Sequence, residues 1–293
     1  MIIETPGLYS VSEMAYHADP APEPSLSRGC ICDLLYASPQ HAWTRHPRLN
    51  PHWVAENDRK FDLGSAAHDA LLCGMERVVP LDYKDFRTKA ARAARQEAID
   101  AGKLPVLIEQ YDATKAMVEV ARAYWESSIH LAGIGFGDGA TELSAFWKES
   151  ELWCRARFDW LAHNRTLIVD YKSTLGSANP EVWAHQHLAQ DGLDIQAAWY
   201  LRAAARTAPE AIAGSDFLFL VQECSEPYAC SLVALDRAFL EMAEEKVEAG
   251  LRLWRQCRER DKWPGYTSRV HWVGPPSWQM QRWEEMKMAE EFA

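Results

Sequence analysis

No uncharged apolar run in this chain is long enough to cross a bilayer, which argues against an integral membrane protein. The opening Met1-Ile2-Ile3-Glu4-Thr5-Pro6 lacks both the basic region and the apolar stretch of a secretory leader, so a cytoplasmic location is expected. Cysteine spacing offers little to a metal cluster. The seven cysteines cannot all pair, and neither Cys30/Cys32 nor Cys224/Cys230 has the C-x-x-C spacing of a zinc site or an iron–sulfur pattern. They read as core residues or free thiols of a reducing compartment. Internal repeats and low-complexity linkers are also missing. Positive charge is in deficit: 31 Lys and Arg against 42 Asp and Glu leave −11. The surface as a whole is therefore no polyanion binder, and any contact with nucleic acid has to come from a local patch.

What is present suits a folded globular protein. With 48% hydrophobic and 25% charged residues over 293 positions, one elaborated domain can bury a core large enough to offset chain entropy. Ser25 or Ser27 can cap a helix through Cys30 to Leu35, ending before Ser38-Pro39. Helical spacing continues over Gly64–Leu72, which carries His68, and over Ile108–Trp125. The alternate glycines 133, 135, 137 and 139 read as a loop.

After them the period changes to two. Strands are expected over Glu142–Lys148, Leu152–Leu161, Leu167–Thr174, Asp216–Gln222 and Tyr228–Leu235. Helices are expected near Pro180–Ala189, Asp191–Arg206 and Asp236–Arg258. The reading is a single α/β domain spanning 1–293. It comprises a mainly helical N-terminal part over 1–130, a small mixed sheet flanked by helices over 140–260, and a Trp-rich tail over 261–293.

The chemistry concentrates in Leu167-Ile168-Val169-Asp170-Tyr171-Lys172. Strand alternation puts Asp170 and Lys172 on one face and Tyr171 on the other. Charges that follow an apolar run are costly to bury unless they bind each other or a metal. Asp159, near the end of the preceding strand, offers a second hard oxygen ligand suited to Mg²⁺ or Mn²⁺, and Glu142 a third carboxylate. Gln196 and Tyr200 share one helix face, and small neighbours of His68 would let its helix approach the sheet. Taken singly, the D-x-K pair also fits a plain strand ion pair, and His68 a satisfied core histidine.

Taken in order, Gly64-x-x-x-His68, Glu142, Asp159, Asp170-x-Lys172 and Gln196-x-x-x-Tyr200 resemble the PD-(D/E)xK nuclease superfamily, and within it the RecE-type exonucleases (exodeoxyribonuclease VIII). Pro24-Ser25-Leu26-Ser27, Tyr36-Ala37-Ser38-Pro39 and Asp85-Phe86-Arg87-Thr88-Lys89 add to the likeness, which runs from about Ser25 to Leu235. The resemblance implies a restriction-endonuclease-like α/β core with a helical N-terminal elaboration. It further implies Asp159, Asp170, His68 and the Tyr171 carbonyl as metal ligands, with Glu142 completing the site. Lys172 would position the attacking water, and Gln196 and Tyr200 would line the site beside the scissile phosphate. The activity implied is Mg²⁺-dependent exonucleolysis of double-stranded DNA ends, 5′-to-3′, leaving 3′ overhangs for phage recombination, with Mn²⁺ as a substitute ion; the alternatives are an endonuclease of the same superfamily and a non-catalytic DNA- or protein-binding module that keeps the fold. The partners implied are a RecT-like single-strand annealing protein and further copies of the chain in a ring.

Two features are read from composition. The basic, alanine-rich stretch holds Lys84, Arg87, Lys89, Arg92 and Arg95, which are either a solvated face or a phosphate-contacting helix; on a continuous helix Lys84, Arg87, Arg92 and Arg95 would share a face. The tail carries Trp263, Trp272, Trp278 and Trp283, expected against the body or in a subunit contact, with a platform for unpaired bases as the alternative.

Overall fold

The computed structural model describes residues 2–54, 63–188, 190–207 and 215–291. In chain order its elements are β1 (Gly7–Tyr9), α1 (Glu13–His17), α2 (Arg28–Cys32), α3 (Pro39–Arg45), α4 (Leu63–Cys73), β2 (Val78–Leu81), α5 (Lys89–Asp100), β3 (Leu104–Leu107) and α6 (Ile108–Ser127). There follow β4 (Gly139–Glu149), β5 (Leu152–Ala162), β6 (Leu167–Thr174), α7 (Pro180–His187), α8 (Leu193–Thr207), β7 (Asp216–Glu223), β8 (Cys230–Val233), α9 (Arg237–Arg260) and α10 (Ser277–Glu291).

Caps explain many of the boundaries. Ser27, Thr88, Asn179 and Asp236 each take a backbone N–H of the first turn that follows, and Pro180 fits the first position of α7, where no N–H is needed. The end expected for α7 at Ala189 lies outside the described residues.

Six strands form one mixed sheet in the order β1-β4-β5-β6-β7-β8, antiparallel except for the parallel pair β6/β7. The parallel step requires a crossover, and α7 and α8 supply it. One face of the sheet packs on α2, α8 and α9 through Ile31, Phe158, Trp199, Phe219 and Trp254. The other packs on α4 and α6 through Ala66, Ala70, Met117, Trp125 and Tyr171. This is the small mixed sheet flanked by helices that the alternation implied. Gly250 lets α9 close on α2, since a Cβ there would lie 2.7 Å from Ile31 Cγ2.

The N-terminal third, read as mainly helical, also carries three short strands. β1 adds an edge strand to the main sheet, and β2 and β3 form a separate parallel pair. Both strands of that pair contain proline (Pro80, Pro105), which ordinarily argues against a strand. The glycine-rich segment is also not all loop: Phe136–Asp138 forms a short helical turn, and Gly139 opens β4 where Trp160 leaves no room for a Cβ. Of the tail tryptophans only Trp263 packs on the body, 5.3 Å from Trp254, while Trp272, Trp278 and Trp283 are exposed rather than buried against it.

Beneath the N-terminal segment lies a buried polar node. Ser25 donates to Asp19 through its N–H (2.8 Å) and its hydroxyl (2.6 Å), and Arg155 donates to the Ser25 carbonyl at 2.7 Å. His46 Nε2 faces the same carbonyl at 3.0 Å, while its Nδ1 accepts the Arg48 N–H at 3.1 Å.

Candidate active site

The main sheet comes apart at one place. β5 pairs with β6 at Trp160↔Val169 and Leu161↔Ile168, and Asp159 opposite Asp170 would be the next rung. On the other side, β4 and β5 pair at Thr141↔Trp160 and Leu143↔Phe158 but skip the rung between, Glu142 opposite Asp159. Glu142 has a φ of 55°, left-handed backbone that a non-glycine residue adopts at a cost. Inward alternation slips here too: Phe158 and Trp160, two apart, join opposite cores. Glu142, Asp159 and Asp170 thus stand in line across three neighbouring strands, at a break in the ladder. The Tyr171 N–H, which that break leaves without a strand partner, donates to Asp159 Oδ2 at 2.9 Å.

Side chains converge on this line from both faces. α4 brings His68, whose Nε2 lies 3.3 Å from Asp159 Oδ2 and whose Nδ1 lies 3.9 Å from both Glu142 Oε1 and Asp69 Oδ1. Ala66, Ala67 and Ala70 make that approach possible, as small residues on the packed side of the helix. From the opposite face, Gln196 on α8 donates to Asp170 Oδ2 at 2.5 Å, and Lys172 forms an ion pair with Asp170 Oδ1. Tyr171 points away, its hydroxyl donating to Gln222 Oε1 at 2.6 Å. Gln222 in turn donates to the carbonyls of Met117 and Tyr228, so the residue between Asp170 and Lys172 is clamped to α6 and the β7–β8 turn.

His68, Glu142, Asp159, Lys172 and Tyr200 share the wall of a cleft of about 830 Å³, roofed by the segment from Ser10 to His17. Asp170 and Gln196 sit just behind that wall, buried. The Tyr200 ring packs edge-on against Phe158 and Phe217.

Electrostatics report crowded negative charge. Burial raises the Asp170 carboxyl and Asp159 raises it further; against the pull of Lys172 it reaches about 6. Burial also pushes Asp159 up, but His68 and then Lys172 outweigh it and hold Asp159 below its ordinary value. For His68, burial disfavours the proton, yet Asp159 above all, with Asp69 and Glu142, raises it to about 10. Burial raises Glu142 as well, opposed chiefly by Arg157. Burial pushes the Tyr200 hydroxyl well up, so it stays a neutral donor.

One ligand atom each from His68, Glu142 and Asp159 lies within 4.8 Å of the others. Two carboxylates and an imidazole of this spacing, beside a third buried carboxylate, fit a divalent cation that prefers oxygen and tolerates nitrogen. The set implied at first also includes Asp170, which lies beside the trio, its Oδ1 paired with Lys172 and its Oδ2 accepting from Gln196.

The basic stretch lies elsewhere, and none of Arg87, Lys89, Arg92 or Arg95 lines the cleft. The expected single face over Lys84 to Arg95 is corrected. Asp85 accepts the Arg87 N–H in a turn and Thr88 caps α5, so Lys84 and Arg87 precede the helix. α5 rests on β2 and β3, with Arg95 over the Phe86 ring.

Arg157 went unread in the sequence. It donates to Glu142 Oε2 at 2.5 Å, to the Val11 carbonyl at 2.9 Å and to Ser144 Oγ at 3.0 Å, tying the cleft roof to the strained carboxylate. The two-residue period was the available signal, since it puts Arg157 on the same face of β5 as Asp159. Asp69 was also missed, and a lone acid on an apolar helix carries no such signal.

Residues 35–273 match the family described as "PDDEXK-like domain of unknown function (DUF3799)". A crystal structure from Eubacterium rectale, described as a "Putative exonuclease", is similar to this chain with a TM-score of 0.57 at 12% identity, over 94% of this chain and 98% of that one. At such identity the likeness is one of fold. A search of curated proteins finds no match.

Proposed function

The chain belongs to the family of PDDEXK-like domains of unknown function (DUF3799), and from that premise we propose that it is a metal-dependent deoxyribonuclease of the RecE exonuclease type. In this reading its substrate is a double-stranded DNA end, whose 5′ strand it hydrolyses to release 5′-phosphate products and leave a 3′ overhang. The observation that carries the proposal is the line of Glu142, Asp159 and Asp170 across the parted strands, flanked by His68 and Lys172 and open to a cleft.

His68, Glu142 and Asp159 would hold Mg²⁺, or Mn²⁺ in its place, with Asp170 and the Tyr171 carbonyl completing the set. The ion, when bound, neutralises charge on the phosphodiester and acidifies its water. The remaining chemistry belongs to the chain. Lys172 reaches the cleft and aims the attacking water at phosphorus, its charge countering the negative charge that builds there. Gln196 fixes the orientation of Asp170 from the buried side. Tyr200, held neutral, donates a hydrogen bond to a phosphate oxygen beside the scissile bond. Arg157 opposes the upward push of burial on the Glu142 carboxyl and holds it beside His68. The leaving 3′-oxygen takes a proton from solvent. Arg87, Lys89, Arg92 and Arg95 contact the duplex outside the cleft, a RecT-like annealing protein takes up the overhang, and the active form is an oligomer that encloses DNA.

The test uses purified protein with linear and closed-circular duplexes, with Mg²⁺ or with a chelator. Loss of the linear duplex only, and only with Mg²⁺, is the expected result. Nicking of the circle would replace the exonuclease reading with an endonuclease, and survival of both substrates would overturn the nuclease reading.

A further inference from the structure

Five basic side chains line the cleft, and four of them have an acid of their own. Arg157 faces Glu142, Lys172 faces Asp170, His68 faces Asp159 and His17 faces Glu13. The fifth is Arg77. Its guanidinium has no ion pair and no hydrogen bond to any described residue, although the residue is partly buried.

Arginine is rarely withdrawn from water unless it is paired, because an unpaired charge loses hydration and gains nothing. Here the backbone leaves little choice of position. Gly74, at a φ of 103°, ends α4 and sends the chain into the single turn Met75–Arg77. The Arg77 N–H donates to the Gly74 carbonyl at 3.2 Å, and Lys103 donates to the Glu76 carbonyl at 2.9 Å. Val78, next in the chain, is buried and opens β2 against Leu104 of β3. The guanidinium is thus presented to the cleft from a base fixed on both sides, with no acid among the described residues to receive it.

Its place fits a second contact with the ligand that meets the carboxylates. Arg77 follows α4, the helix that brings His68 to Asp159, and that helix rises about 7.5 Å from His68 to its end at Cys73. Cys73 lines the cleft too. Burial raises its thiol, the Glu142 charge raises it further, and Arg77 draws it down. The thiol feels both groups, so Arg77 stands farther along the same wall rather than in the metal-ligating cluster. A ligand that suits both places is anionic at more than one point along its length. A phosphodiester strand has that form, and its phosphate oxygens match the planar fork of a guanidinium.

We propose that Arg77 grips a non-reacting phosphate of the substrate strand, a short way along α4 from the phosphate that is cleaved, and so sets the register of the strand over the carboxylates. The strand itself is taken from the nuclease reading, on which the proposal rests. Arg77 breaks no bond. Binding energy realised away from the reacting centre holds the phosphorus where attack can occur.

The experiment measures binding by the full chain in chelator, where nothing is cut, so the contact and the nuclease reading can fail separately. The probe is a duplex with a short single-stranded 5′ tail, together with a set in which each tail phosphate in turn is a neutral methylphosphonate. Wild type should lose affinity sharply at one position of the set. Arg77→Ala should bind the unmodified probe about 10- to 100-fold more weakly, as loss of a charge-assisted contact implies. It should also lose the penalty at that one position and flatten the slope of log K against log salt by about 0.7. Arg77→Lys should restore the slope but only part of the affinity, since an ammonium keeps the charge and loses the fork. Both variants should melt where wild type does, because the guanidinium has no partner in the protein to lose. An Arg77→Ala protein that binds as tightly as wild type, or that keeps the penalty at the same position, overturns the proposal even if it cuts DNA. So does a wild type with no sensitive position. A protein that shows the whole pattern yet never cuts DNA loses the nuclease reading and keeps the contact.

Discussion

Replacing Asp170 with asparagine should make the metal-free protein more stable and the enzyme inactive. The carboxyl is raised from an ordinary 3.8 to about 6 by burial and by Asp159. A group raised in this way favours folding fully below its unfolded value and loses that contribution as the pH climbs through its folded one. Above pH 6 the ionised Asp170 therefore costs up to about 3 kcal/mol relative to its protonated form. Asparagine keeps the shape, can still accept from Gln196 through its oxygen, and never ionises. Its amide then faces Lys172, which loses an acceptor; with 27% of that side chain exposed, it can turn into the cleft. Allowing for that loss, a net gain of about 1–2 kcal/mol is expected at pH 8 with chelator, raising Tm by about 2–6 °C. The gain should vanish near pH 4, where Asp170 is protonated too. Cleavage should fall on the order of a thousandfold, equivalent to about 4 kcal/mol of lost transition-state stabilisation. Urea titrations across pH and a linear-duplex assay measure both halves. An Asp170→Asn variant that is less stable at pH 8, or that cuts at the wild-type rate, would refute the reasoning.

Three other outcomes are expected. Lys172→Ala should bind Mn²⁺ within a few-fold of wild type by calorimetry yet lose about 100-fold or more in turnover; wild-type turnover would reduce the D-x-K pair to a strand ion pair. Burial, with Arg155, lowers His46 to about 4, and its Nδ1 already accepts an N–H, so neutral His46 favours folding above pH 6.5 and loses up to about 3 kcal/mol as the pH falls through 4. Urea midpoints for wild type and His46→Gln should converge in acid, and parallel curves would count against the node. Replacing Arg87, Arg92 and Arg95 with alanine should flatten the slope of log K for duplex binding against log salt by about 2 to 3; an unchanged slope assigns the stretch to solvent.

The sequence and the fold agree best where a strong period meets a large core. β4 to β8, α4, α6, α8 and α9 lie within a few residues of where alternation or helical spacing puts them, because each buries one side along its whole length. The short pieces failed that test. β1 is three residues long, and β2 and β3 hold prolines that local rules read as breaks; tertiary packing overrides those rules. At the site, the ordered carboxylates, His68, Lys172 and Gln196 were visible as residue types, and the structure gathers them. The left-handed backbone at Glu142 and the missing rungs beside Asp159 were not, since both depend on how three strands fail to match. Arg157 was within reach of a two-residue count and was passed over. The exposure of the tail had no signature at all, because a tryptophan-rich segment reads alike whether it meets its own body or another.

The seam between β5 and β6 is held by the pairs at Trp160 and Leu161. His68 reaches it from one face of the sheet and Gln196 from the other, and the core under each face contains residues of both strands. The gap from Asp159 to Asp170 is therefore set by how those two cores pack. Packing changes deep in either core can thus be levered into misalignment of the carboxylates, and a shift of about 1 Å is enough to cost a hundredfold in rate. Such changes would register first as lost activity in a protein that still melts where it should.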